Sequence, residues 1–339
     1  MKIAIVTDAW TPQVNGVVRT LVTIRSELER RGHRITVIAP NQYRSVACPT
    51  YPEIRLALAT VRSVGLRIAA ARADAVHIST EGPLGVAARR WCIDQGLPFT
   101  TAYHTQFPAY ISGRTGLPEA MFWRYISWFH RPSSAIMAAT TTLRCELAAH
   151  GLAHTRSWGR GVDLDLFEPG AVPPSLFARL PRPILLNVGR VAVEKNIEAF
   201  LETPFKGSKV VVGEGPAMAD LKRRYPEVHW LGALHGSALA GAYAGADAFV
   251  FPSRTDTFGL VVVEALACGT PVAAFPVPGP IDILTNAVGA MNADLGEAIA
   301  SALTRDRSAC PAFAAQYSWA ASADQFLAAL APLDVRAAA

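Results

Sequence analysis

No apolar run in this chain approaches the roughly 18–20 residues that a membrane-crossing helix needs; stretches such as Ile3 to Val6 and Ala248 to Phe251 stop far short of it. Ile3 to Val6 is also too short for the apolar core of a secretory leader, and Asp8 follows at once, so a cytoplasmic location is expected. Cysteine is scarce: Cys48, Cys92, Cys145, Cys268 and Cys310 are scattered, odd in number and free of zinc or redox spacing, which excludes a disulfide scaffold and leaves reduced core residues as the expectation. Charge is thin as well. With 17% charged and 51% hydrophobic residues the chain is core-rich, which excludes intrinsic disorder. The three-glycine dinucleotide fingerprint is missing from the first strand–turn–helix, Lys2 to Arg31, which argues against a nicotinamide-dependent dehydrogenase.

What is present is an alternation of short apolar strands and helical segments over 339 residues, a length that suits two domains. The charge is divided unevenly. Residues 1–160 hold 19 Arg and Lys against 9 Asp and Glu, a net +10, whereas residues 161–339 hold 13 against 18, a net −5. A basic first half suits an anionic partner, with nucleic acid and an anionic membrane as the two candidates.

The most informative stretch runs from Ala248 to Phe275. A buried strand, Ala248 to Phe251, is stopped by Pro252-Ser253; a polar loop, Arg254 to Thr257, leads through Phe258-Gly259-Leu260 into a helix ending at Gly269, and Val272 to Phe275 is the next strand. The helix start favours an anion, because its first N–H groups lack intrahelical partners and the helix dipole is positive there. Gly259 leaves room for a phosphate to approach. Glu264, one turn deeper on the face of Leu260, suits ribose hydroxyls rather than a phosphate, and Asp256 at the loop tip suits the other end of the ligand.

An acid, seven residues, then Glu, followed by Ala-Leu-Ala-Cys-Gly-Thr-Pro-Val, resembles the signature of the retaining glycosyltransferase family 4, although Asp256 stands where Glu is commoner. Ser253 to Gly259 resembles in particular the branch that makes glucosyl-, glucuronosyl-, sulfoquinovosyl- and mannosyl-diacylglycerols. Four further segments resemble the family's motifs in order: Pro12-Gln13-Val14-Asn15-Gly16-Val17, Tyr103-His104-Thr105, Arg160-Gly161-Val162-Asp163, and Gly189-Arg190 with Glu194-Lys195-Asn196. The resemblance implies that Asn15 and Gly16 meet acceptor and donor phosphate and that His104 contacts the donor sugar or its phosphate. It implies that Arg190 and Lys195 hold the diphosphate, that Asp256 faces the sugar and Glu264 the ribose, and that Phe258, Gly259 and Leu260 line the donor site. Backbone near Leu231 and Gly232 is expected beside the base, and Arg160 where the chain passes between domains. Two cations in one strand-to-helix loop suit two phosphates on charge alone, although a surface pair between Arg190 and Glu194 is the plainer alternative.

The implied fold is α/β of the GT-B kind: Rossmann-like domains at 1–165 and 166–315 flanking a cleft, with a C-terminal helix in 316–339 returning to the first. The implied reaction is metal-independent hexosyl transfer with retention, from a nucleotide sugar to a lipid hydroxyl of diacylglycerol or ceramide. UDP-glucose or UDP-glucuronate is the favoured donor, with GDP-mannose the alternative. No cofactor and no nucleic acid are expected, and the location becomes peripheral, on the inner face of the cytoplasmic membrane. A nucleotide-sugar epimerase of the same fold and a non-catalytic nucleotide-sugar binder are the readings from other classes. Two further segments bear on the lipid. Val61 to Arg72 reads as a helix with Arg62, Arg67 and Arg72 among apolar residues, and Leu117 to Arg131 crowds aromatics onto one helix. Phe122, Ile126 and Phe129 form a stripe expected in the core; Met121, Tyr125 and Trp128 form one suited to lipid. Residues 41–60 read as irregular.

Overall fold

The computed structural model describes residues 1–13, 15–48, 51–104, 108, 112, 116 and 118–333, with only the backbone of 48 and 51–54. The segment Thr105 to Phe107, part of one expected motif, lies outside the described residues, as do Val14 and Leu117. The chain divides into two compact units, Met1–Gly159 with Trp319–Ala339, and Arg160–Ser318.

The first unit runs β1 (Lys2–Val6), α1 (Gly16–Arg30), β2 (Arg34–Ile38), β3 (Ser45–Cys48), β4 (Tyr51–Ala57), α2 (Val61–Ala71), β5 (Ala75–Ile78), α3 (Pro83–Asp94), β6 (Thr100–Tyr103), α4 (Glu119–His130), β7 (Ala135–Ala138), α5 (Thr141–Ala149) and β8 (Thr155–Ser157). Its sheet has the order β2-β1-β5-β6-β7-β8 and every pairing in it is parallel. The inner strands are short apolar runs because helices cover both faces; all four residues of β5, β6 and β7 are buried. Helix α1 follows from Leu21, Ile24 and Leu28, all buried at helical spacing, and Gly32 in the left-handed region ends it. The order reverses beside β1: the chain goes first to β2 on one side, then to β5 on the other, the place where open α/β sheets bind ligands at their strand ends.

The second unit repeats the scheme: β9 (Ile184–Val188), α6 (Ile197–Glu202), β10 (Ser208–Val212), α7 (Met218–Arg224), β11 (His229–Gly232), α8 (Gly236–Gly245), β12 (Ala248–Phe251), α9 (Leu260–Ala267), β13 (Val272–Ala274), α10 (Pro280–Ile283), β14 (Gly289–Met291), α11 (Leu295–Ala302) and α12 (Ala309–Ala314). The sheet order is β11-β10-β9-β12-β13-β14, again parallel, and the reversal falls between β9 and β12. The last helix, α13 (Trp319–Ala329), is grouped with the first unit. It sets Phe326, fully buried, with its ring centroid 5.0 Å from those of both His77 and Trp158.

Three expectations are corrected. Among the described residues of 41–60, β3 and β4 pair antiparallel outside the main sheet instead of being irregular, and a two-stranded ribbon is all edge, so the proline at position 52 is tolerated. The core stripe of α4 is Trp123, Ile126 and Phe129, with Phe122 only half-buried, so the helix is rotated by about one residue from the expected face. Cys145 is exposed, whereas Cys92, Cys268 and Cys310 are buried. No helix among the described residues is long and apolar enough to cross a membrane.

Candidate active site

In the second unit two strand-end loops meet at the switch between β9 and β12. The first, Gly189 to Asn196, is pinned from below: Gly189 N–H donates to Val212 O (3.0 Å), and Val191 N–H donates to Glu214 O (2.9 Å). A Cβ on Gly213 would lie 1.8 Å from Gly189 O, so only glycine lets the two loops stack. The second loop, Pro252 to Gly259, is stitched to the first by three side chains. Asn196 Nδ2 donates to Pro252 O (3.0 Å), Thr255 Oγ1 to Glu194 O (3.4 Å), and Lys195 Nζ to both carboxylate oxygens of Asp256 (2.7 and 2.8 Å). Both charged side chains of that pair remain partly open to solvent, 31% for Lys195 and 24% for Asp256. Arg254 lies over Phe275, its guanidinium carbon 3.7 Å from the ring centroid, a further contact that holds the loop.

Gly259 follows as the N-cap of α9 with φ +85°, and the first turn of α9 carries no acid, so its N–H groups keep their positive end. A Cβ on Gly259 would sit 3.2 Å from both Phe251 and Val262. Phe258 is buried against Tyr317, ring centroids 6.0 Å apart, and Leu260 is half-buried. The proline-rich turn 276–280 brings Gly279, φ +94°, beneath this loop, where a Cβ would be 3.1 Å from Asp256 O and 3.3 Å from Phe258 O.

The expected site residues are placed unevenly. Lys195 and Asp256 are in contact, and Phe258, Gly259 and Leu260 continue the same loop. Arg190 opens the first loop, 41% exposed, with one guanidinium nitrogen 3.9 Å from Glu194 Oε1, a pair at the edge of ion-pair range. Leu231 is the penultimate residue of β11, two strands from β9, and is half-buried. Glu264 is 1% exposed, and its Oε2 accepts a hydrogen bond from the Tyr243 hydroxyl (3.0 Å). Arg160, at the start of this unit, is buried, and that burial pulls its guanidinium down to about 10. In the first unit His104 follows β6 at its carboxyl end, buried and edge-on to Trp158 with ring centroids 5.5 Å apart. Asn15 is the N-cap of α1, its Oδ1 accepting from Val18 N–H (2.9 Å), so its side chain serves the helix; Gly16, which begins α1, has open space where a Cβ would go.

Two residues with a place in these arrangements carried no expectation. Tyr243 lies 21 residues before Glu264 and has no local signal. Asp8 had one: an acid two residues past the end of the apolar strand β1, at the switch of the first sheet. Its carboxylate plugs the start of α3, accepting from Leu84 N–H (2.9 Å), Gly85 N–H (3.3 Å) and Thr80 Oγ1 (2.9 Å), while its carbonyl accepts from Gln13 Nε2 (3.2 Å). Burial pushes its carboxyl up from 3.8 to about 6, against the pull of those donors. The folded protein therefore holds this proton more tightly than the unfolded chain does. The resulting penalty is absent below pH 3.8, grows up to pH 6 and is complete above it. In Asp8→Asn the amide leaves one backbone donor poorly met, an offset that does not vary with pH. The stability of the variant minus that of wild type is expected to rise by roughly 2–3 kcal/mol between pH 4 and pH 7 in paired urea titrations. A difference flat in pH would show that Asp8 does not take up a proton in this range.

The profile described as Glycosyltransferase Family 4 matches residues 14–166, and that described as Glycosyl transferases group 1 matches residues 182–305. A GDP-mannose-dependent alpha-mannosyltransferase of Mycolicibacterium smegmatis is 31% identical over 308 residues, 84% of this chain and 82% of that protein. This chain belongs to glycosyltransferase family 4. As a glycosyltransferase of that family it is also similar to the sulfoquinovosyl transferase SQD2 of Arabidopsis thaliana, 32% identical over 71% of this chain and 50% of that protein. The sucrose-phosphate synthase of Thermosynechococcus elongatus superposes with a TM-score of 0.76 at 20% identity, over 96% of this chain and 97% of that one. At that identity the likeness speaks for the fold, two Rossmann-like halves of the GT-B type, as expected.

Proposed function

We propose that this glycosyltransferase moves a hexose or hexuronic acid from a nucleotide sugar to a lipid hydroxyl, with retention at the anomeric carbon and without a metal. The observation that carries the reading is the Lys195–Asp256 pair at the switch between β9 and β12, next to a helix start with no acid in its first turn. In this reading Lys195, Arg190 and the N–H groups after Gly259 take the diphosphate, whose negative charge grows as the sugar leaves. The acceptor hydroxyl attacks C1 from the face the leaving phosphate vacates. The C1–O bond to phosphate breaks as the new C1–O bond forms, and the acceptor's proton passes to the departing phosphate oxygen. Asp256 orients the sugar, Glu264 the ribose, and Gly16 and His104 serve the transfer from the first unit.

The lipid acceptor is supported by the likeness to SQD2 and to the alpha-monoglucosyldiacylglycerol synthase of Streptococcus pneumoniae. A membrane contact, as distinct from the acceptor site, is supported by exposed apolar side chains in the first unit, among them Leu58, Leu66 and Trp128, accompanied by Arg62, Arg67 and Arg124. We accordingly assign the protein a peripheral place on the inner face of an anionic cytoplasmic membrane. For the donor, a UDP-sugar is the first reading and follows the lipid-glycosylating motif at Ser253 to Gly259. GDP-mannose is the second, favoured by the relative matched over 84% of this chain.

The test is transfer of labelled sugar from UDP-glucose, UDP-glucuronate and GDP-mannose to diacylglycerol and ceramide in mixed micelles, with and without EDTA. Labelled glycolipid that persists under EDTA is expected from one donor. Transfer only to water-soluble acceptors would overturn the lipid reading, epimerised donor without transfer would overturn the transferase reading, and loss of transfer under EDTA would overturn metal independence.

A further inference from the structure

Helix α4 connects the carboxyl end of β6 to the start of β7, so Trp128 and Arg131 lie towards the end of the sheet opposite His104. There an open depression of about 640 Å³ lies among α3, α4 and the end of α5, lined chiefly by Arg89, Trp123, Arg124, Trp128, Arg131 and His150. Its floor is built. Arg89 is buried, with Nε donating to Phe129 O (3.0 Å) and a terminal nitrogen to Trp128 O (2.7 Å), so it closes the last carbonyls of α4. The same guanidinium lies 4.0 Å from the centroid of Trp128 and holds that indole in place. On the other side His150 stacks on Trp123, centroids 3.6 Å apart and planes 10° from parallel, and the Trp123 indole donates to Glu119 Oε1 (3.1 Å).

The rim is different in kind. Arg124 and Arg131 are exposed and make no ion pair among the described residues, while Trp128 is 46% and Met121 55% exposed. Buried arginine, stacked rings and ordered helix ends explain the floor as packing. They do not explain two open arginines flanking an open tryptophan and methionine. Cations that meet a phosphodiester, beside an indole that sits at headgroup depth, are the combination an anionic bilayer surface selects. The excess positive charge of the first half of the chain has the same sign.

We propose that this depression is a docking site for the headgroup of an anionic phospholipid: Arg124 and Arg131 take the phosphate, and Trp128 and Met121 enter the interface beside it. The site is separate from the strand-end edge that carries His104 and Asp8, so it holds the protein on the membrane rather than presenting the hydroxyl that is glycosylated. This locates the membrane contact proposed above and rests on it.

Flotation with vesicles of phosphatidylcholine alone and of phosphatidylcholine with phosphatidylglycerol tests it, using wild type, Arg124→Gln/Arg131→Gln and Trp128→Ser. Wild type is expected to float with the phosphatidylglycerol vesicles at low salt and to come off at high salt. An arginine near an anionic surface contributes about a fivefold gain in partitioning, so the double variant is expected to lose roughly 25-fold. Trp128→Ser, which leaves the charge unchanged, is expected to weaken binding at low salt while leaving the salt concentration dependence as steep as in wild type. Donor hydrolysis and transfer to a short-chain acceptor without vesicles are expected at wild-type levels in both variants, which also shows that they fold. Wild-type flotation that both variants retain would overturn this assignment and leave the membrane reading standing. Wild type that floats with neither vesicle would overturn both. Soluble glycerol phosphate that displaces the protein at millimolar concentration would identify a phosphate-ester site and overturn the bilayer assignment.

Discussion

Lys195→Ala is expected to lower kcat/KM about 10²- to 10³-fold while moving the thermal midpoint little. The two effects separate because of where the ion pair sits. Lys195 and Asp256 make two short contacts, yet both keep about a quarter or more of their side-chain surface in water. A pair this open contributes of the order of 0–1 kcal/mol to folding. Its charge matters far more once a diphosphate displaces water and gains negative charge in the transition state, where loss of one preorganised donor costs about two to three decades. Asp256 serves as a check. Alone, Asp256→Asn releases Lys195 from its bidentate hold and removes the acid proposed to face the sugar. If Asp256 acts only by placing Lys195, Asp256→Asn will have no further effect in the Lys195→Ala background. The expected outcome is a further loss of tenfold or more in the double variant, since the proposed reading gives the carboxylate a contact with the sugar in its own right. Lys195→Ala with near wild-type transfer at a wild-type midpoint would remove the diphosphate role from this loop.

The fold was legible because its signals are local. The apolar run Ala248 to Phe251 is a strand with the limits expected, and Gly269 stands in the left-handed region where the helical pattern after Gly259 stops. The loop from Asp256 to Leu260 was legible for the same reason: acid, glycine and helix start are adjacent in sequence. Contacts between distant segments were not. Nothing local pairs Lys195 with a carboxylate 61 residues away, or sets Tyr243 against Glu264. The rotation of α4 was not legible because seven of the nine positions from 121 to 129 are apolar or aromatic. Periodicity then cannot choose a face, and the choice fell to Trp123, which has both the Glu119 carboxylate for its indole N–H and the His150 ring to stack on. Asn15 shows the converse: a polar residue before a glycine at a helix start reads as ligand-binding, yet its oxygen is spent on Val18 N–H, as an N-cap residue's usually is.

Glu264 is the residue whose expected role and observed surroundings pull in different directions, so its variants should show the other large effect. A ribose-holding acid is expected to face its ligand; Glu264 is instead buried on α9 with Tyr243 donating to Oε2. Burial makes the side chain matter to folding: Glu264→Ala removes the carboxylate that accepts from the Tyr243 hydroxyl and leaves a buried void, and it is expected to cost about 1–3 kcal/mol. It does not exclude the ligand, because a carboxylate oxygen accepts more than one hydrogen bond and the buried acid already lies one turn behind the helix start. The donor decides between the two. With an intact nucleotide sugar, Glu264→Ala is expected to lower kcat/KM by 10²-fold or more, chiefly through KM, at a temperature where the variant is folded. With a donor lacking the ribose hydroxyls, wild type should fall to about the level of the variant, and the variant should change little, since the partner for those hydroxyls is already gone. Tyr243→Phe supplies the control: it removes the same internal hydrogen bond but leaves the carboxylate, so its stability should fall while its preference for the intact ribose persists. If Glu264→Ala discriminates against the deoxy donor as strongly as wild type does, the acid belongs to the packing of α9 against α8, and the ribose is held elsewhere.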